Sequence, residues 1–369
     1  MSKLLFVMNM APKYVESSYK LFDQEFDVLW CFGKNDTDIK EMDHSLLKKV
    51  YVLPVRHFYK GAYSLKGLFS LAFRNKIDNY VLIGQPALIS TWVLPWIIKV
   101  FYPKRKVLFW SHGWYGKEGK IKTILKKLYY KPADKVLTYG DYARNLMINV
   151  GFSPNKVFAI HNSLNHNEQV ALRNTIKPST IYKYHFKNDN PVLFFVGRLT
   201  PVKNLSLLLY AVKMLKDNEK YYNVVFVGDG SERESLNNLA KKLGLEEETW
   251  FYGACYDEKT NAELIYNADL CVAPGNIGLT AMHVLVFGTP ALTHNDFKWQ
   301  MPEFEAIHEG ETGCFFERDN VESLAETITK WFKEKRNKRE EVRRACYKEI
   351  DDNWTPEYEL KVLNKALQS

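Results

Sequence analysis

The chain has 369 residues, is 46% hydrophobic and 14% aromatic, and carries a formal net charge of +8. That length exceeds one ordinary hydrophobic core, so two domains are expected, and the composition excludes a disordered chain. Cysteines at 31, 255, 271, 314 and 346 are odd in number and lack CxxC spacing, which argues against a zinc site and for reduced thiols in a cytosolic protein.

The charge is unevenly spread. Residues 1–190 hold 29 Lys and Arg against 14 Asp and Glu, and the remainder holds 22 against 29. Within the first half, residues 51–150 hold 17 basic and 4 acidic side chains. A basic half joined to an acidic half points to an anionic partner for the first domain only.

In chain order, the opening run MSKLLFVMNM reads as a first strand, too short an apolar stretch for a signal peptide. KLLFVM, FDVLWCF, KVYVLPV, YVLIG, KVLFWSH, KVLTYG and KVFAIHNS then alternate with helix-like segments, the pattern of a parallel α/β sheet. Residues 87–102 form the longest apolar run, but Pro95 and Lys99 break it and it is short for a membrane span. Two segments here combine apolar and cationic character. WVLPWIIKVFYPKRK (92–106) ends in a basic cluster. KEGKIKTILKKLYYK (117–131) reads as a helix with Ile121, Ile124, Leu125, Leu128 and Tyr129 on one side and lysines around the rest. Both suit an anionic membrane surface. The alternative is an amphipathic helix packed on its own sheet with its lysines in water. Nucleic acid is not expected, because no nucleic-acid module is present and the lysines are not interleaved with stacking aromatics.

Residues 165–190 are polar and read as a linker. The strand pattern then restarts with PVLFFVG, NVVFVG, TWFYG, DLCVAP, PALTHN and GCFF. Helices are expected at 204–218, 232–243, 259–267, 280–287 and 321–335, with a last one at 354–367. This is a second doubly wound domain, and ligands of such folds bind at the carboxyl ends of the strands.

Four stretches of the second domain carry chemistry. FFVGRLTPVKN (194–204) places Gly197 at a strand end, with Arg198 and Lys203 before a helix. An Arg fork and a Lys point charge beside free helix N–H groups suit a diphosphate, although loop charges are commonly just solvated. VVFVGDGSERESL repeats the strand–glycine–helix order through Gly228 and Gly230, and a tight turn is its simplest reading. DLCVAPGNIGLTAMHVLVFGTP (269–290) is strand, turn at Pro274-Gly275-Asn276, and a helix from near Gly278, a grammar that builds anion pockets from unpartnered amides. THNDFKWQMPEFEAI (293–307) supplies Asp296, Glu303 and Glu305 after a strand end, and Pro302-Glu303 is also ordinary helix-start chemistry.

VGRL…KN, VGDGSER…L, F-x-G, Y-x-x-ADL-x-x-AP and GL…GTP, in this order and spacing, resemble the carboxyl-terminal domain of GT-B glycosyltransferases of family 4. The resemblance covers residues 191–335 and extends more loosely through WSHG (110–113), ADKVLTYG (133–140) and FAIHNS (158–163). It implies an α/β GT-B fold: two Rossmann-like, doubly wound parallel-sheet domains facing a central cleft. The implied limits are 1–187 for an acceptor-side domain, 188–350 for a nucleotide-sugar domain and 351–369 for a helix crossing back to the first.

By that resemblance, Arg198 and Lys203 hold the donor's diphosphate and stabilise the departing nucleotide. Gly197, Gly228, Gly275, Asn276, Ile277, Gly278, Leu279 and Thr280 surround the phosphates, His112 lies near the donor sugar, and Tyr252 to Cys255 flank the base. The family places two glutamates eight residues apart where this chain has Gly275 and His283. A histidine can still hydrogen-bond a ribose, but a glycine offers only its backbone. Glu303, or second to it Asp296, is the candidate to take over contact with the donor sugar.

The implied function is retaining transfer from a UDP- or GDP-sugar to a growing glycan, with a lipid-linked oligosaccharide of surface polysaccharide synthesis as the expected acceptor. No metal or other cofactor is obligatory in such a fold, and no DxD-type motif sits in a suitable place. The expected location is the cytoplasm, peripheral at the inner membrane face through residues 92–131. Two alternatives stand beside it: a non-catalytic GT-B protein binding a glycan or a partner transferase, and a sugar-nucleotide epimerase or hydrolase.

Overall fold

The computed structural model describes residues 3–35 and 39–369, so the first two residues of the opening run lie outside it. The chain forms two compact units. The first comprises Met1–Asn165 with Trp354–Ser369, and the second comprises His166–Asn353.

In the first unit, β1 (Lys3–Met8), β2 (Asp27–Gly33) and β3 (Val50–Leu53) coincide with expected strands. The KVYVLPV run splits after β3 because Pro54 has no N–H to offer a ladder. β4 (Val55–His57) instead pairs antiparallel with β5 (Tyr63–Leu65), a hairpin that the alternation of residue types does not announce. β6 (Asn79–Ile83), β7 (Lys106–Ser111), β8 (Lys135–Thr138) and β9 (Val157–Ala159) complete a seven-stranded sheet in the order β3-β2-β1-β6-β7-β8-β9. Its pairings are all parallel, which explains the near-continuous apolar runs: both faces are covered. Leu5, Val7, Leu82 and Phe109 point into one core, and Leu4, Phe6, Val81 and Leu108 into the other.

The last helix, Pro356–Gln368, supplies Leu363 and Ala366 to that second core. Thr355 caps it through Tyr358 N–H, with Pro356 at the first helical position. Lys106 Nζ donates to the Leu367 carbonyl at 2.6 Å.

The second unit holds β10 (Val192–Val196), β11 (Asn223–Val227), β12 (Thr249–Gly253), β13 (Leu270–Ala273), β14 (Ala291–His294) and β15 (Gly313–Phe316). They form a six-stranded parallel sheet in the order β12-β11-β10-β13-β14-β15. The strand order reverses between β10 and β13, so the loops leaving these two strands diverge to opposite faces and open a crevice at their carboxyl ends. The helices Ser206–Asp217, Arg233–Lys242, Glu258–Asn267 and Val321–Lys335 follow the expected periodicity.

Three expectations need correction. Residues 165–190 are not a plain linker, since they contain helices His166–Arg173 and Ile181–Phe186. Tyr182 and Phe186 are buried, and the Tyr182 hydroxyl donates to the Leu264 carbonyl at 2.6 Å within the second unit. Too few apolar positions are spaced there to betray a helix to a periodicity argument. The helix expected from near Gly278 is shorter, spanning Thr280–Leu285. Finally, the lysine-rich helix is Lys120–Tyr130, and Tyr129, expected on the same side as Ile121, Ile124, Leu125 and Leu128, is buried while those four are exposed.

Candidate functional site

In the second unit the chain folds so that three backbone segments touch at the crevice. Gly275 N–H donates to Lys203 O at 2.9 Å and Asn276 N–H to Val202 O at 3.3 Å. This antiparallel contact lays the turn after β13 directly on the loop after β10. The turn after β11 presses from the other side: a Cβ on Gly228 would stand 1.9 Å from Gly197 O. Glycine there is dictated by close backbone approach, and Gly228 also has a φ of +143°.

Lys203 ends a single 3-10 turn (Pro201–Lys203) and is followed by Asn204 in the left-handed region at φ +47°. Its Nζ donates to the Asn276 carbonyl at 2.7 Å and to Asn276 Oδ1 at 3.0 Å. Burial pushes the ammonium down to about 8, with nearby Glu303 opposing and Arg198 reinforcing that shift. A desolvated lysine held by neutral acceptors gains most from an anion, which restores what burial removed. Arg198, one turn of loop away, is exposed and makes no ion pair among the described residues.

Thr280 Oγ1 donates to Val196 O at 2.9 Å and pins the short helix to the end of β10. The Ile277 amide, expected to face a phosphate, is already engaged by Gln300 Oε1 at 3.0 Å. The same buried Gln300 donates to Thr293 Oγ1 at 2.8 Å and to His294 O at 3.2 Å, stapling the turn to β14. Nothing in the spacing of a lone glutamine signalled this role. Gly278, Leu279 and Thr280 remain as first-turn residues whose amides lack partners within the helix.

The two positions where the resemblance leads one to expect carboxylates behave differently. Gly275 is hemmed in by backbone, because a Cβ there would lie 2.0 Å from Val202 O. His283 Nε2 meets Glu258 Oε1 at 3.0 Å, and Gln169 Nε2 donates to the same oxygen at 2.9 Å. These partners hold the Glu258 carboxyl below the usual range despite burial, which pulls the other way. A carboxylate thus sits beside His283, brought from the first turn of helix Glu258–Asn267, where sequence reasoning had not looked.

Glu303 lies in the 3-10 segment Pro302–Ala306, is buried, and is close enough to act on the Lys203 ammonium. Asp296 is engaged elsewhere, facing Arg318 at 3.3 Å and Lys298 at 3.6 Å. Tyr252 and Gly253 end β12 and Ala254 and Cys255 follow it, and Gly253 O accepts from Gly228 N–H at 2.8 Å. A cavity of about 420 Å³ beside them is lined by Gly230, Ser231, Arg233 and Phe251.

In the first unit, His112 follows the end of β7 and lines a cavity of about 720 Å³. Burial, with Lys126 adding to it, pushes the imidazole down to about 4, so the ring is neutral at physiological pH. Its ring centroid is 4.7 Å from that of Tyr139, and Nδ1 is buried without a hydrogen-bond partner among the described residues. The rest of the wall combines aromatic rings (Trp92, Trp110, Tyr115) and uncharged polar groups (Asn9, Gln85, Ser111) with Lys122 and Lys126. Flat apolar faces interspersed with hydroxyl and amide groups suit a polyhydroxylated ligand.

Comparison with known proteins agrees with this architecture. Residues 177–349 match the family described as "Glycosyl transferases group 1". An uncharacterized glycosyltransferase of Haemophilus influenzae is 24% identical over 225 residues, covering 60% of this chain and 59% of that protein. The chain spans less than two thirds of the length of the curated relatives it matches. Among solved structures, Anabaena HepE in complex with UDP superposes with a TM-score of 0.73 at 16% identity, covering 100% of both chains. The lipopolysaccharide outer core galactosyltransferase WaaB superposes with a TM-score of 0.73 at 15% identity, covering 99% of both. The structural likenesses show the GT-B fold, and residues 177–349 are similar to the group 1 glycosyltransferase family.

Proposed function

We propose that this chain, a GT-B protein similar over residues 177–349 to the group 1 glycosyltransferases, moves a sugar from a nucleotide-sugar donor to a growing glycan with retention of configuration. The observation that carries the donor side is Lys203: a desolvated ammonium on the carbonyls of the β13 turn, with unpaired Arg198 beside it. Positive charge concentrated where β10 and β13 diverge stabilises the diphosphate as it leaves. Glu303, acting on that same ammonium, is the proposed carboxylate of the chemistry, and neutral His112 is the proposed contact to the sugar. HepE was solved with UDP and with UDP-glucose, so a UDP-sugar is the first donor to examine, ahead of a GDP-sugar. No metal is assigned a role. The proposed acceptor is a lipid-linked oligosaccharide of surface polysaccharide synthesis, reached at the inner membrane face.

A thermal-shift series with UDP, GDP and their sugar conjugates tests the donor reading, because a tight ligand at a hundredfold excess over Kd stabilises by about 2.7 kcal/mol. No shift with any nucleotide would overturn it. A second reading, a GT-B protein that binds without transferring, is favoured by the absence of a side chain at Gly275 and by His283 being paired with Glu258. Release of nucleoside diphosphate from a bound nucleotide sugar separates the two.

A further inference from the structure

The helix Lys120–Tyr130 packs through a narrow face of one lysine and two tyrosines and leaves its aliphatic side chains outside. Lys126, Tyr129 and Tyr130 are buried, whereas Ile121 is 77% exposed, Ile124 66%, and Leu125 and Leu128 50% each. The orientation is fixed from within. Lys126 Nζ donates to the Gly113 carbonyl, pairs with Glu118 at 2.8 Å and lies 4.5 Å from the centroid of the Trp114 ring. A buried ion pair of this kind leaves an uncompensated charge if the helix rotates, so the outward aliphatic face is a built feature.

Two neighbours extend that face. The helix Ser90–Phe101 sends Leu94 and Ile98 into the core and leaves Val93, Trp96, Val100 and Phe101 outside. It touches the lysine-rich helix through Trp92 on Tyr129, at 4.8 Å between ring centroids, and through Thr91 Oγ1 at 2.7 Å from Tyr129 hydroxyl. The β4–β5 hairpin joins the start of the same helix, where Ile89 N–H donates to Tyr63 O at 2.8 Å, and its tip exposes Phe58 and Tyr59. All three segments pack against one core on one side of the first sheet.

Exposed lysines 104, 117, 120, 122, 127 and 131 surround this apolar surface. The acidic side chains between them are neutralised, Glu118 by Lys126 and Asp134 by Lys99. A second copy of the chain would bring like charges together, and nucleic acid would leave the aliphatic side chains in water. No helix among the described residues is long and apolar enough to cross a membrane. An apolar face rimmed by cations is matched by the interface of an anionic bilayer, where aliphatic groups enter the acyl boundary and lysines meet headgroups.

We propose that the helices Lys120–Tyr130 and Ser90–Phe101, with the β4–β5 hairpin tip, form a docking surface for an anionic lipid bilayer. The helix that bears the aliphatic face also contributes Lys122, Leu125 and Lys126 to the wall of the 720 Å³ cavity. Docking therefore brings the mouth of that cavity to the headgroup layer, where a lipid-anchored glycan presents its sugars. The surface deepens the acceptor side of the proposed function and stands independently of nucleotide binding.

The test is sedimentation of the full chain with vesicles of phosphatidylcholine alone or with about 30% phosphatidylglycerol, in the absence of nucleotide. The expected result is at least tenfold stronger partition onto the anionic vesicles, reversed by 0.5 M salt. The double variant Ile121→Glu/Ile124→Glu should melt like the parent, because both positions are exposed, and lose at least tenfold in partition. Lys120→Gln/Lys127→Gln should lose roughly fivefold per lysine and keep its apolar contact. A second pair, Val100→Ser/Phe101→Ser, checks the neighbouring helix. Absence of partition, or partition unchanged in all three variants, overturns the proposal. A dimer in sedimentation velocity that Ile121→Glu/Ile124→Glu dissociates, without vesicle binding, overturns it in favour of self-association. A nucleotide-induced thermal shift that persists in these variants shows the donor site to be intact, so failure here is distinguishable from failure of the donor reading.

Discussion

A side chain on Gly275 would begin 2.0 Å from the carbonyl oxygen of Val202. The turn after β13 lies so flat on the loop after β10 that the position where the resemblance leads one to expect a glutamate has no room for one. Gly275→Ala should destabilise the chain by about 1–3 kcal/mol through overpacking, and Gly275→Glu at least as much. Urea unfolding measures this. A Gly275→Glu variant of parental stability would show that the two loops separate easily, and the close contact would lose its explanatory weight.

Lys203 should impose a pH limit on nucleotide binding. Its ammonium titrates near 8 in the folded protein, below its ordinary 10.5. If only the charged form holds a diphosphate, affinity for UDP is nearly constant below pH 7 and falls about tenfold per unit above 8. Lys203→Arg should remove the fall, since a guanidinium stays charged, and Lys203→Gln should bind weakly at every pH. Calorimetric titration between pH 6.5 and 9.5 decides, and a flat parental profile would rule Lys203 out as the phosphate contact.

Glu303 raises the Lys203 pKa. Glu303→Gln should therefore shift the midpoint of that binding profile to lower pH. If Glu303 serves the donor sugar as proposed, turnover should also fall by at least tenfold while UDP still stabilises the protein at pH 6.5. Unchanged turnover ends the idea of Glu303 as a surrogate for the missing glutamate.

His283 and Glu258 approach to 3.0 Å, so His283→Glu, nominally a restoration, sets two carboxylates against each other. The expected cost is about 1–3 kcal/mol at pH 7. Glu258→Gln in the same chain should recover most of it. Thermal melts of the two single variants and the double supply the cycle, and additive effects would mean that the pair is not coupled.

Glu359, in the last helix, is fully buried, and that burial raises its carboxyl to about 8 from an ordinary 4.5. The folded state therefore holds a proton that the unfolded state loses, so stability should decline from about pH 4.5 to pH 8 and level off beyond. Glu359→Gln should flatten that decline and leave the protein more stable than the parent at pH 8. Equal slopes in parent and variant would place the titration elsewhere.

The linear order of residues by itself determined the two parallel sheets. A strand covered on both faces must be apolar almost throughout, and a helix packed on one face must repeat near every 3.6 residues, so both are written locally. The glycine-punctuated strand ends and the Arg198–Lys203 pair were legible for the same reason. Tertiary structure alone decided the rest. Gln300 reaches the Ile277 amide across the β14 strand end, and Glu258 reaches His283 from another helix. Gly275 is a glycine because Val202 occupies its side-chain space. The helix Lys120–Tyr130 shows the limit most clearly. Its sequence supplies an aliphatic side and a cationic side, and either could have faced the sheet. Lys126, buried against Glu118 and Gly113, turned the aliphatic side outward. Thr91, bonded to Tyr129 from 38 residues away, holds the same face inward, so the orientation depends on partners outside the helix and no pattern within the helix encodes it.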